Sequence, residues 1–106
     1  LLAKVKSSKF DLWRFLSMFY GIIVSIYYFD NKQYRLPHIH VAYDEQEAVV
    51  SIPDGVVIEG EIQVNKMKLL QAWIEIHKDE LMANWNLAVN GNKVFKIEPT
   101  TIRNFR

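Results

Sequence analysis

Pro37-His38-Ile39-His40-Val41-Ala42-Tyr43 leads through Asp44-Glu45-Gln46 into Glu47-Ala48-Val49-Val50-Ser51-Ile52-Pro53-Asp54-Gly55, and this stretch decides the fold. Residues 38–43 alternate with period two, so Ile39, Val41 and Tyr43 share one face of a strand and His38, His40 and Ala42 the other. Pro37 removes a backbone donor where the strand begins. Asp44-Glu45-Gln46 is a short polar connection, and Ala48, Val50 and Ile52 form one face of the next strand. Pro53-Asp54-Gly55 has the composition of a tight turn. Residues 56–62, Val-Val-Ile-Glu-Gly-Glu-Ile, follow as a further strand. Connections this short join antiparallel neighbours, so the spacing predicts a meander.

Upstream, residues 19–29 (Phe-Tyr-Gly-Ile-Ile-Val-Ser-Ile-Tyr-Tyr-Phe) are rich in β-branched and aromatic side chains and read as one strand. Asp30-Asn31-Lys32 break that run, and 31–37 form a polar loop. Downstream the period changes. Asn65 has the chemistry of an N-cap. Leu70, Trp73, Ile74, His77, Leu81, Trp85 and Ala88 recur at steps of three and four, a helical face sustained to about Val89 and stopped by Asn90-Gly91. Asp79 and Glu80 would suit the first turn of a second helix starting near His77-Lys78. No Gly or Pro marks a break there, so the pattern predicts one long helix, at most kinked. Residues 93–98 alternate weakly and suggest a last edge strand. Residues 1–16, basic and apolar without a clean period, read as a leader, fusion remnant or upstream extension outside the fold. Residues 17–99 then form a single domain, and 100–106 a tail. The predicted fold is α+β: about four antiparallel strands with one face on the long helix, Trp73, Ile74, Leu81 and Trp85 burying against Val41, Tyr43, Val50 and Ile52.

Composition bounds the function. The 106 residues are half hydrophobic and 13% aromatic, which excludes general disorder. Thirteen basic residues against twelve acidic leave a net charge of +1, which argues against a broad nucleic-acid surface. There is no cysteine, so disulfides, thiolate zinc sites and thiol catalysis are excluded for this chain. The longest apolar run, Met18 to Phe29, is too short to span a bilayer. A cytosolic, membrane-free protein is the expectation.

His38 and His40 are the pair with the most versatile chemistry. Two residues apart on a strand, they project to the same side roughly 6–7 Å apart at the backbone. That spacing suits a metal, an anion or a phosphate. With Asp30 or Glu47 they would make a set for a divalent transition metal, and Tyr34 and Arg35 stand near them in sequence as ligand-binding candidates. General acid–base work by His38 or His40 with Asp30 or Glu47 is the catalytic version, in the manner of a metal-independent ribonuclease. The structural reading, which is preferred, has both histidines bonding to the 31–37 loop and fixing its return. His77, between Ile74 and Leu81 on the apolar helix face, reads as a buried structural residue, and Trp73 and Trp85 as core. Lys66 and Lys68 could join Lys32 and Arg35 in a small phosphate-contacting spot, but read first as solvated surface. No serine lies in a nucleophile elbow.

Ser-Met-Phe-Tyr-Gly-Ile-Ile-Val at 17–24, Leu-Pro-His-Ile-His-Val at 36–41, Glu-Ala-Val-Val-Ser-Ile at 47–52, Ala-Trp-Ile-Glu-Ile-His-Lys-Asp-Glu-Leu at 72–81, Asn-Trp at 84–85 and Asn-Gly at 90–91 occur in order. Together they resemble the small bacterial family called domain of unknown function 4160, over about residues 17–99; residues 1–16 have no counterpart. In that family a recurring Pro-His-x-His element matches Pro37, His38 and His40, and a helix histidine matches His77. The resemblance implies a small gene beside another short gene, an arrangement read as toxin–antitoxin-like. It implies no settled activity. The expectation is a small binding or regulatory module acting through a protein partner from an adjacent gene, with the balance against an enzyme. The alternatives are a nucleic-acid-acting toxin or ribonuclease using His38 and His40, and a metal-binding protein. An uncovered edge strand also points to a homodimer.

Overall fold

A computed structural model of the chain describes residues 14–27 and 36–99. Asp30, Tyr34 and Arg35 lie outside the described residues, as do 1–13 and 100–106. Five strands follow one another: β1 (Phe15–Phe19), β2 (Ile22–Ser25), β3 (His38–Tyr43), β4 (Gln46–Ser51) and β5 (Val57–Gly60). Each pairs antiparallel with the next, in the order β1-β2-β3-β4-β5. Two helices complete the described unit, α1 (Val64–Ile76) and α2 (Lys78–Val89). The fold is α+β with a meander, as the pattern predicts, but with five strands and two helices.

The extra strand comes from a turn inside the apolar run. Phe19 pairs with Ile22. Between them Tyr20 and Gly21 stand at φ 50° and 82°, the positive pair that a tight two-residue hairpin needs. Over its described part, residues 19–27, the run that reads as one strand is the end of β1, the turn, β2 and the two residues after it. Phe15 and Leu16, placed in the extension by the sequence, lie in β1, and Leu16 is fully buried.

The register puts Ile22 and Val24 of β2, Ile39 and Val41 of β3, and Ala48 and Val50 of β4 on one face. Leu70, Trp73 and Ile74 of α1 and Leu81 and Trp85 of α2 close the same core. Trp73 is completely buried, with its ring 5.1 Å from that of Phe19. The expected core of Trp73, Ile74, Leu81, Trp85, Val41, Val50 and Ile52 is buried; Tyr43 packs against it half-exposed.

The long helix is divided at His77, whose φ of −111° leaves the helical region while Asp79 and Glu80 fill the first turn of α2. Glu80, three residues on, reaches back to the His77 ring. A polar side chain at the junction and a carboxylate at the third helical position begin a new helix without Gly or Pro. The expected N-cap at Asn65 is displaced: Gln63 precedes the helix, and its amide donates to the Gln46 side chain at 2.7 Å. The Asn90-Gly91 stop is present. Gly91 takes φ +75°, and Gly91 and Asn92 amides return to the carbonyls of Ala88 and Leu87 at 3.0 and 2.8 Å, the paired closure of a helix end.

Residues 92–99 form no strand. Val94 and Ile97 are buried, and a spacing of three cannot put both on one face of a strand. Among the described residues, three bonds beyond that of Asn92 hold the segment down. Asn84, fully buried, accepts from the Phe95 amide at 2.8 Å. The Trp73 indole donates to the Glu98 carbonyl at 3.0 Å, and the Ile97 amide to the Leu16 carbonyl at 2.8 Å. The last of these covers part of the outer edge of β1.

Candidate functional site

Pairing of His40 with Ser25 and Val49, and of His38 with Ser51, places both histidines on the sheet face opposite Ile39 and Val41. The sequence assigns the same face but expects it to be open. Instead His38 is fully buried and His40 half-buried, with Ser25, Val49 and Ser51 buried around them. Trp85 covers part of His38. His38 is the first residue of β3, and the Trp85 ring from α2 lies 5.1 Å from its ring, so the helix reaches His38 as well as the core.

The rings continue from there. His38 and His40 are 5.4 Å apart, centroid to centroid, and His40 meets Tyr27 edge-on at 4.9 Å. The Arg14 guanidinium stands 5.6 Å over Tyr27. Trp85, His38, His40, Tyr27 and Arg14 thus form one continuous stack from α2 across β3 to the end of β2 and the residue before β1. Contacts of this kind contribute on the order of 0.5–1.5 kcal/mol each. At its inner end His38 Nδ1 lies 2.8 Å from the Leu36 carbonyl. A carbonyl only accepts, so Nδ1 carries the proton. This bond ties His38 to the residue two before it; residues 31–35 of the loop, which the sequence has both histidines fixing, lie outside the described residues.

The remaining candidates are not drawn together. Glu47 lies on β4 opposite Ala42, on the histidine face but exposed. Among the described residues, no three His, Asp or Glu side chains are placed to hold a metal ion. His77 sits with its ring 5.4 Å from Trp73 and is bonded to Glu80; it does not join His38 and His40. Lys66 is partly buried, with its ammonium 5.1 Å from the Tyr43 ring and 6.0 Å from that of Tyr20, and so packs on two aromatics. Lys68 is exposed, and Lys32 lies outside the described residues. A shallow groove lined by Tyr43, Asp44, Glu45, Gln46 and Gln63 opens beside the β3–β4 turn, at the opposite end of β3 from His38.

Two contributors escape the sequence. Arg14 falls in the segment read as an extension, and nothing in its neighbours signals a partner beyond the β1–β2 hairpin. Asn84 is a lone amide on a helix, and only the path of residues 92–99 gives it an amide to bind.

The family model for the domain of unknown function (DUF4160) matches residues 21–86. The chain belongs to this family. The match includes the Pro-His-Ile-His element and Trp85, and leaves β1 and residues 92–99 outside it. No curated protein and no solved structure matches the chain significantly. No helix among the described residues is long and apolar enough to cross a membrane.

Proposed function

We propose that the chain is a small binding or regulatory module that acts through a protein partner, encoded by an adjacent gene in a toxin–antitoxin-like pair. One observation supports it above the others: the histidines that carry the chemical suggestion of the sequence are links in a ring stack, with His38 wholly inside and bonded to the Leu36 carbonyl and His40 half-buried. A general acid or base must come within hydrogen-bond reach of its substrate, and His38, with no exposed surface, does not. The near-neutral charge favours a protein surface over a nucleic acid.

Co-expression with the protein encoded next to it, tagged on the partner, tests the reading. A stoichiometric complex retained through purification is expected. Absence of any complex removes the reading, and RNA cleavage by the purified chain that His40→Ala abolishes would replace it with the nuclease alternative.

A further inference from the structure

The two edges of the sheet are treated differently. The outer edge of β1 is met by the C-terminal segment, through the Ile97 amide on the Leu16 carbonyl. At the other end, β5 pairs only with β4 among the described residues. An edge strand presents unpaired amides and carbonyls to any extended chain that can lie beside it. The side chains of this edge are also exposed: Val56 by 58% and Val57 by 39%, then Glu59 and Glu61.

The sequence that builds that edge is one-sided in charge as far as Asn65, with Lys66 and Lys68 following in the first turns of α1. From Leu36 to Asn65 the chain holds Asp44, Glu45, Glu47, Asp54, Glu59 and Glu61 and no Lys or Arg. The chain's overall charge of +1 therefore hides a run of thirty residues at −6, balanced by basic residues before and after it. All of β3, β4 and β5 belongs to the acidic run.

Resting on the partner reading above, we infer that the outer edge of β5 is the docking strand for that partner, which adds an extended segment bearing Lys or Arg and apolar side chains. Backbone pairing supplies adhesion, Val56 and Val57 an apolar contact, and Glu59 and Glu61 the choice of a basic strand. The same carboxylates act against a second copy. Two β5 edges pairing about a two-fold axis bring Glu59 and Glu61 of both copies together, and like charges across a strand pair repel. The edge is thus closed to self-association and open to a complementary chain.

A blocked ten-residue peptide alternating Lys and Val serves as probe, read by amide shifts and hydrogen exchange on the full chain. Binding is expected with new protection confined to the outward amides of β5, Val57–Gly60. Affinity should fall with added salt, and about tenfold in Glu59→Lys/Glu61→Lys, with Glu59→Gln/Glu61→Gln intermediate. A peptide with Glu in place of Lys should not bind. No binding of the basic peptide, protection elsewhere, or an affinity indifferent to the charge reversal overturns the inference. So does a free chain that is dimeric with its β5 amides already protected. A complex with the adjacent-gene protein that survives the double reversal, with β5 unprotected, defeats this edge but leaves the partner reading standing. Peptide bound at β5 without any such complex does the reverse.

Discussion

Gly60 stands at φ +82°, where an added Cβ would overlap the Glu47 carbonyl oxygen and come within 3.0 Å of the Ala48 Cα. Both obstacles are backbone and cannot swing away. Gly91, at φ +75°, has nothing within 4 Å of the same position. Gly60→Ala should therefore cost about 2–4 kcal/mol and Gly91→Ala only about 1 kcal/mol, read from urea midpoints at constant slope. Equal losses would show that the β4–β5 approach is looser than described. The histidines divide in the same way. His38→Ala removes a fully buried ring and its bond to Leu36, and should lose about 2–4 kcal/mol; His40→Ala, half-exposed, should lose about 1 kcal/mol. A His38→Ala protein as stable as wild type would mean that the ring stack contributes nothing. Period-two alternation alone places these two residues on one face. The burial of His38 is not legible in it, because the Trp85 ring that packs on it comes forty-seven residues further on.

The elements that the sequence reveals are those with strong punctuation. Pro53-Asp54-Gly55 turns the chain, with the Gly55 amide on the Ser51 carbonyl at 2.8 Å, and Asn90-Gly91 ends α2. Where punctuation is weak, the elements blur. Tyr20 is a β-prone residue pressed into a positive φ, so Tyr-Gly hides a hairpin inside an apolar run. His77 divides two helices whose hydrogen bonds still bridge it: its amide reaches the Trp73 carbonyl at 3.0 Å, and the Leu81 amide reaches its own carbonyl at 2.9 Å. The apolar stripe passes through without interruption, so periodicity sees one helix. Trp73→Ala should cost about 3–5 kcal/mol, since it empties a fully buried site between Phe19 and residues 92–99. Asn84→Ala leaves the Phe95 amide without its acceptor, and faster exchange of the amides of Phe95 and Ile97 in hydrogen-exchange spectra is expected. Unchanged exchange there would mean that Trp73 and Leu16 hold the segment by themselves.

At the scale of the whole molecule, the family match and the folded unit have different limits. The match over 21–86 omits Leu16, Phe19, Val94 and Ile97, all buried in the same core. A fragment of residues 21–86 should accordingly fail to show a cooperative melt, whereas 14–99 should retain one. Charge is uneven on the same scale, and net charge conceals it: +1 overall says nothing of an acidic β3–β5 region bordered by basic segments. Burial of His38 and exposure of the β5 edge both support the binding role proposed above. Sedimentation velocity of the full chain, alone and mixed with the protein encoded next to it, measures this most directly. The account expects a new species at the summed mass, formed equally by wild type and by His40→Ala. Independent sedimentation of the two proteins, with the chain folded, would contradict it.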